Sequence, residues 1–217
     1  MRMTDASIDT LIDGLADELK PVRPRRTGLG SLWAFAGWVV GATALIAYAG
    51  MRHDLSSGQM PMLSMLSFWL IAAVGMAAAW SAIRMGMPGV GRDYGGCRWA
   101  GLVALALPLS ALLLSMGDSH IAMESARLGT GTRCLTEAAV SGLGVGAALF
   151  AWLKAGAPTS PERAGLVTGL AAGSAGATIV ALHCPVDNIV HISLWHGLAV
   201  FLSAVAGRLV LPRFLRW

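Results

Sequence analysis

The chain has 217 residues, of which 55% are apolar and 13% charged, with a net charge of +4, a pI near 9.4 and a mean hydropathy of +0.64. A soluble domain carries about 25% charged residues, so this composition excludes an ordinary water-soluble globule. Its basic residues flank apolar runs instead of clustering on one segment, which excludes direct nucleic-acid binding as the meaning of the high pI.

The first predicted element is a short amphipathic helix in the N-terminal segment 1–30. Ile8, Leu11, Ile12, Leu15 and Leu19 fall on one helical stripe, with Asp9, Asp13, Asp17 and Glu18 largely opposite. Asp5 or Ser7 is placed to cap its start, and Pro21 and Pro24 stop it. Helices that lie on a bilayer usually carry Lys and Arg on the polar face, whereas this one is acidic and is repelled by anionic lipid. Docking of the stripe into the groove of a partner protein therefore fits better than a bed on the membrane or a cap on the bundle. The run Pro21-Val22-Arg23-Pro24-Arg25-Arg26 then forms a stiff basic tether.

Residues 31–217 read as one transmembrane domain. Six apolar runs follow in order, at Ser31–Gly50, Met62–Ile83, Trp99–Met116, Leu135–Leu153, Ala164–Leu182 and Ile192–Leu211. A helix needs about 20 residues to cross a 30 Å hydrocarbon layer, and these runs lack the alternation of barrel strands. The expected fold is all-α, a polytopic six-helix transmembrane bundle. The first run is longer than a signal-peptide core and follows an acidic segment, so Ala47-Tyr48-Ala49 is not read as a cleavage site.

Charge sets the expected topology. Arg2, Lys20, Arg23, Arg25, Arg26, Arg84, Arg92, Arg98, Lys154, Arg163, Arg208, Arg213 and Arg216 lie on one side of the alternating spans. Only Arg52, Arg127 and Arg133 lie on the other. The positive-inside rule makes the rich side, with both termini, cytoplasmic. Gly37 and Gly41 in span one, and Gly165, Gly169 and Gly173 in span five, have the spacing that lets helices approach closely. The latter set is expected to join spans four and five. The Trp residues near span ends read as interfacial anchors. No span carries a charge at its centre, the usual mark of an ion pathway; Glu137 comes nearest, one turn inside span four. Pro108 in span three is the one candidate helix break.

Chemistry concentrates on the outer side. Cys97 lies beside Arg98 on the cytoplasmic side and reads as a bystander. Cys134 opens span four and Cys184 follows span five, both at outer ends, and fifty positions of chain return to the starting face between them. His53, His120, His183, His191 and His196 also fall in or beside outer loops. There is no CxxC, GxGxxG, Walker or HExxH pattern. Three readings of the thiol pair stay open: a structural disulfide, a metal or oxidant sensor, or two unrelated small residues. Thiolate and imidazole suit soft and borderline metals, which makes Cys134, Cys184, His183 and His191 the candidate ligands for transient heavy-metal binding, with no resident cofactor expected.

Three stretches together resemble a known family, the six-span bacterial membrane anti-sigma factors of the NrsF type. They are Thr10-Leu11-Ile12-Asp13-Gly14-Leu15-Ala16-Asp17-Glu18-Leu19-Lys20-Pro21-Val22, the pair Cys134 and Cys184, and the closing run from Cys184-Pro185 through His191 to Trp195-His196-Gly197-Leu198. Pro24 departs from the family's usual basic-apolar pair after the Pro-Val. The resemblance implies regulation in the bacterial inner membrane, not catalysis. It implies that the cytoplasmic segment, with Ile8, Leu11, Ile12, Leu15, Leu19, Pro21 and Val22, sequesters an extracytoplasmic-function sigma factor. It also implies that Cys134 and Cys184 sense a periplasmic stress such as a metal or oxidant. A membrane metal or solute transporter, or a thiol oxidoreductase, using the same Cys and His residues is the alternative class. A transporter would want polar groups at mid-membrane or an inverted repeat of broken helices.

Overall fold

The computed structural model describes residues 5–18, 25–87, 128–156 and 158–215, with the isolated positions 102, 109 and 113. All regular structure among them is helical. Helix α1 is Asp5–Asp17, α2 Thr27–Ala49, α3 Met62–Met85, α4 Leu128–Ser141, α5 Leu143–Lys154, α6 Pro161–Ala181 and α7 Gly197–Val210. Helices α4 and α5 follow one another across Gly142 as one apolar run, and α7 continues a helical run that begins at Ile189. Five runs are long and apolar enough to cross a membrane, at Thr27–Ala49, Ser64–Met85, Gly129–Lys154, Pro161–Ala181 and Ile189–Val210. The expected third span, with Pro108, lies almost wholly outside the described residues. Leu32, Phe35, Val40, Leu66, Leu70, Leu143 and Leu209 are exposed on these helices, an apolar surface suited to lipid.

The bundle is built around α6. Fifteen of its residues are buried, whereas α2 buries only Gly30, Ala34, Ala42 and Leu45. A helix enclosed on all sides must be thin, and α6 is rich in Gly, Ala, Ser and Thr. Its neighbours meet it almost backbone to backbone. A Cβ on Gly169 would stand 2.0 Å from the carbonyl oxygen of Ser203, and one on Gly165 2.4 Å from that of Gly207. Gly75 of α3 leaves room for the Ser174 side chain, and Gly142 for the Ala172 carbonyl. Gly37 and Gly41 of α2 lie in the same way against Gly144 and Ser141.

Several expectations are corrected here. The face Gly165-Gly169-Gly173 packs on α7, in span six, and not on span four. Span four reaches α6 through Gly176 against Ala138 and Gly142 against Ala172. Four-residue spacing specifies a groove, but not which helix fills it. Helix α4 begins at Leu128, before the apolar run does, so Cys134 sits inside the helix instead of opening it. Trp152 and Trp195 are buried (1% and 7% exposed), not interfacial anchors. The Trp152 indole donates to the Ile83 carbonyl at 2.9 Å, and Arg25 donates to the Trp152 carbonyl at 2.7 Å while its guanidinium stacks 3.8 Å above the ring. Trp38, inside α2, donates to Thr178 of α6 at 3.1 Å.

Gly169→Ala should destabilise the detergent-extracted protein by about 1–3 kcal/mol, the usual scale of overpacking. Gly28→Ala, whose new methyl meets nothing within 4 Å, should be tolerated. Equal melting temperatures for the two variants would show that the α6–α7 contact is not close-packed.

Candidate functional site

At one end of the bundle, the ends of α2 and α6 and the starts of α3, α4 and the last helical run come together. Two short ties hold this end. The Arg52 backbone N–H donates to the Leu182 carbonyl at 3.0 Å, and the His183 imidazole bonds the Gly50 carbonyl through Nδ1 at 2.9 Å. Arg52 is buried, 6% exposed, and its guanidinium bridges Asp54 and Asp187 at 2.5 and 2.6 Å. Ser64 of α3 donates to the same Asp187 oxygen at 2.6 Å. The hydrogen bond to Asp54 holds the Arg52 pKa up, and Arg52 in turn holds the Asp54 carboxyl below its ordinary range.

Beneath this lattice the two cysteines meet. Cys134 Sγ lies 3.6 Å from Cys184 Sγ, both are buried, and both are free thiols. Cys184 Sγ is 3.7 Å from Nε2 of His191, and the His191 and His196 ring centroids are 6.0 Å apart. The four potential ligand atoms of Cys134, Cys184, His191 and His196 all lie within 4.8 Å of one another. The Cys184 thiol pKa is lowered, first by the hydrogen bond from Cys134 and then by that with His191 and by the charge of the nearby His196 ring, against the opposing effect of burial.

Local geometry explains why the histidines join. Asn188 caps the last helical run by accepting from the Val190 N–H at 2.9 Å. Ile189–His191 is a first helical turn, and Ile192–His196 is a π turn. In an α-helix, residues five apart are about 140° off a common face. The wider i→i+5 turn brings them back toward alignment, so His191 and His196 face the same thiols. Gly131 of α4 leaves the space that the Trp195 indole occupies; a Cβ there would stand 1.8 Å from the ring.

Of the residues singled out as metal ligands, Cys134, Cys184 and His191 are brought together. His183 is not, because its ring turns to Gly50. His196 takes the fourth place, which the sequence did not single out. His53 is exposed in the single turn His53–Ser56, whereas His120 and Cys97 lie outside the described residues. Glu137 pairs with Arg133 at 2.7 Å. At the N-terminus Ile8, Leu11, Ile12 and Leu15 are all exposed on α1, at 40–57%. Leu19, Pro21 and Val22 lie outside the described residues.

Residues 15–217 match the family model described as NrsF, negative regulator of sigma F. The chain is 28% identical over 221 residues to the "Probable anti-sigma-F factor NrsF" of Azospira oryzae, covering 99% of each. It is 30% identical over 229 residues to the "Anti-sigma-F factor NrsF" of Caulobacter vibrioides, covering 96% of this chain and 99% of that one. No solved structure matches it.

Arg52→Ala removes the cation shared by Asp54 and Asp187, and the loss of one charge-assisted hydrogen bond is worth about 1.5–3 kcal/mol. The variant should melt earlier in detergent, and its Cys184 should alkylate faster with a maleimide. Unchanged melting and alkylation would show that the lattice does not close this end.

Proposed function

The chain belongs to the NrsF family of negative regulators of sigma F, and from that membership we propose that it is a membrane anti-sigma factor of the six-span kind, with both termini cytoplasmic in the bacterial inner membrane. It sequesters a sigma factor of the extracytoplasmic-function class through its N-terminal helix. A periplasmic stress signal, metal or oxidant, acts on the Cys134–Cys184 pair and releases it. No enzymatic step is involved.

The observation that carries this reading is the exposure of the α1 stripe. Ile8, Leu11, Ile12 and Leu15 leave apolar surface open on a helix whose acidic face disfavours anionic lipid, as expected of a helix that docks in a groove. Leu19, Pro21 and Val22 extend the same binding segment in sequence. The cysteine pair supports the other half of the reading, because a change at the thiols acts at once on α4 and on the end of the central α6. For a signal to cross, that change must have different free energies in the sigma-bound and sigma-free states.

Burying a Leu is worth about 1.5–3 kcal/mol, so Leu11→Ala combined with Leu15→Ala should weaken the sigma complex by about a hundredfold or more. Pull-down of sigma factor with the detergent-extracted protein, together with target-gene expression in unstressed cells, measures it. Full repression by a normally inserted double variant would sink the proposed binding surface.

The sensing half has its own measurement. Cys134→Ser and Cys184→Ser, singly and together, are followed through sigma-dependent transcription with and without cadmium or a thiol oxidant. Loss of induction is expected, and normal induction by stably inserted variants would remove the cysteines from the sensor.

A further inference from the structure

We propose that Cys134, Cys184, His191 and His196 form a closed four-coordinate site for one divalent cation of borderline softness, Zn(II) before others. The site deepens the sensing reading above. It rests on that reading only for the regulatory consequence of the ion, not for its binding.

The geometry is close to what such an ion needs. Zn–S bonds of about 2.3 Å and Zn–N bonds of about 2.0–2.1 Å place tetrahedral sulfurs about 3.8 Å apart, and a sulfur and nitrogen about 3.5 Å apart. The observed Cys134–Cys184 separation is 3.6 Å and the Cys184–His191 separation 3.7 Å. The remaining edges of the set do not exceed 4.8 Å, so modest side-chain closure completes the tetrahedron.

A second, independent observation points to a ligand at the fourth vertex. His196 is 2% exposed, yet neither Nδ1 nor Nε2 has a hydrogen-bond partner among the described residues. A buried imidazole left unpaired is destabilising. A metal bond to one nitrogen removes part of that penalty. The π turn at Ile192–His196 has the same bearing, since such turns occur frequently at functional sites and this one aligns the two histidines.

The charge balance agrees. Binding displaces one proton from each thiol, so M²⁺ and two neutral cysteines give a neutral M(S-Cys)₂(His)₂ centre and two protons leave to solvent. A neutral centre can be buried at the end of a transmembrane bundle where an isolated dication cannot. The ion's place is between the four ligand atoms, which lie within 4.8 Å of one another, beside and not inside the small cavity that Arg52, Ser64, Cys184 and His196 line. An ion seated here has shed its hydration shell and taken all four ligands from protein, the mark of a structural site and not of a transit site. Its ligands come from α4, the loop after α6 and the start of the last helical run, so the ion fastens three chain segments at one end of the bundle.

The test uses the full chain, purified in detergent under a non-chelating reductant, stripped of metal and titrated with Zn(II) and with Co(II). One equivalent of Zn(II) per chain is expected. The Co(II) form should show intense tetrahedral d–d bands and a thiolate-to-cobalt charge-transfer band. His196→Asn, His191→Asn and Cys184→Ser should each lose more affinity than the roughly 10–100-fold that an outer-shell change produces, while His183→Ala retains it. Circular dichroism identifies variants that remain folded. Weak octahedral cobalt bands, no uptake by the folded protein, or a cobalt spectrum unchanged in folded His196→Asn would each overturn the site. Sigma pull-down on the same preparations separates the two readings. Stoichiometric zinc without sigma binding upholds the metal site and fails the anti-sigma reading, whereas sigma binding without metal uptake does the reverse.

Discussion

The close approach of backbones around α6 is the constraint on which the rest of this structure depends. Apolar side chains gain little from leaving lipid for one another, so dispersion contacts and interhelical hydrogen bonds must hold such a bundle together. Gly165, Gly169, Gly173 and Gly176 let two neighbours meet α6 on different sides, and Trp38 reaches Thr178 with one of the few polar bonds across the interior. Enlarging Gly165, Gly169 or Gly176 displaces a whole helix, because the opposing atom is a backbone carbonyl oxygen and has nowhere to go.

That packing also builds the site. Cys134 comes near Cys184 because Gly176 lets Ala138 settle on α6, one turn along α4 from the thiol. The last helical run is held to the same helix through Gly165 and Gly169. His191 and His196 therefore arrive from a segment whose position is fixed along α7, far from the thiols. The Arg52 lattice closes the end from above, joining the loops after α2 and α6.

Much of this was legible in sequence, for reasons that differ by feature. The positions of the five described spans follow from hydropathy, which depends on composition alone, and the meeting of Cys134 with Cys184 follows from a fifty-residue separation that sends the chain out and back. Two helices start earlier than their apolar runs imply, since Thr27–Gly30 and Gly129–Cys134 are helical without being strongly apolar. His183 adjoins Cys184 in sequence, yet neighbours along an extended turn point apart, and its ring bonds Gly50. His196 stands a turn beyond the loop that holds Cys184 and His191, and nothing in Ile192–His196 announces the π turn that brings it to the thiols. The partner of the glycine face stayed hidden too, because small residues say how near a neighbour comes and not which neighbour it is.

The contact between Arg25 and Trp152 bears on the other end of the chain. Arg25 is fixed to the bundle by a hydrogen bond and by stacking on a fully buried indole. Eight peptide units separate it from Asp17, where α1 ends. At no more than about 3.6 Å per residue, α1 ends within about 29 Å of that anchor whatever path the chain takes. The end of α1 is thus confined to a sphere of that radius around the Arg25–Trp152 contact. Whatever meets the exposed stripe of α1 must therefore come within about one helix length of that sphere, so the anchor on Trp152 fixes how near to the bundle any such contact is made.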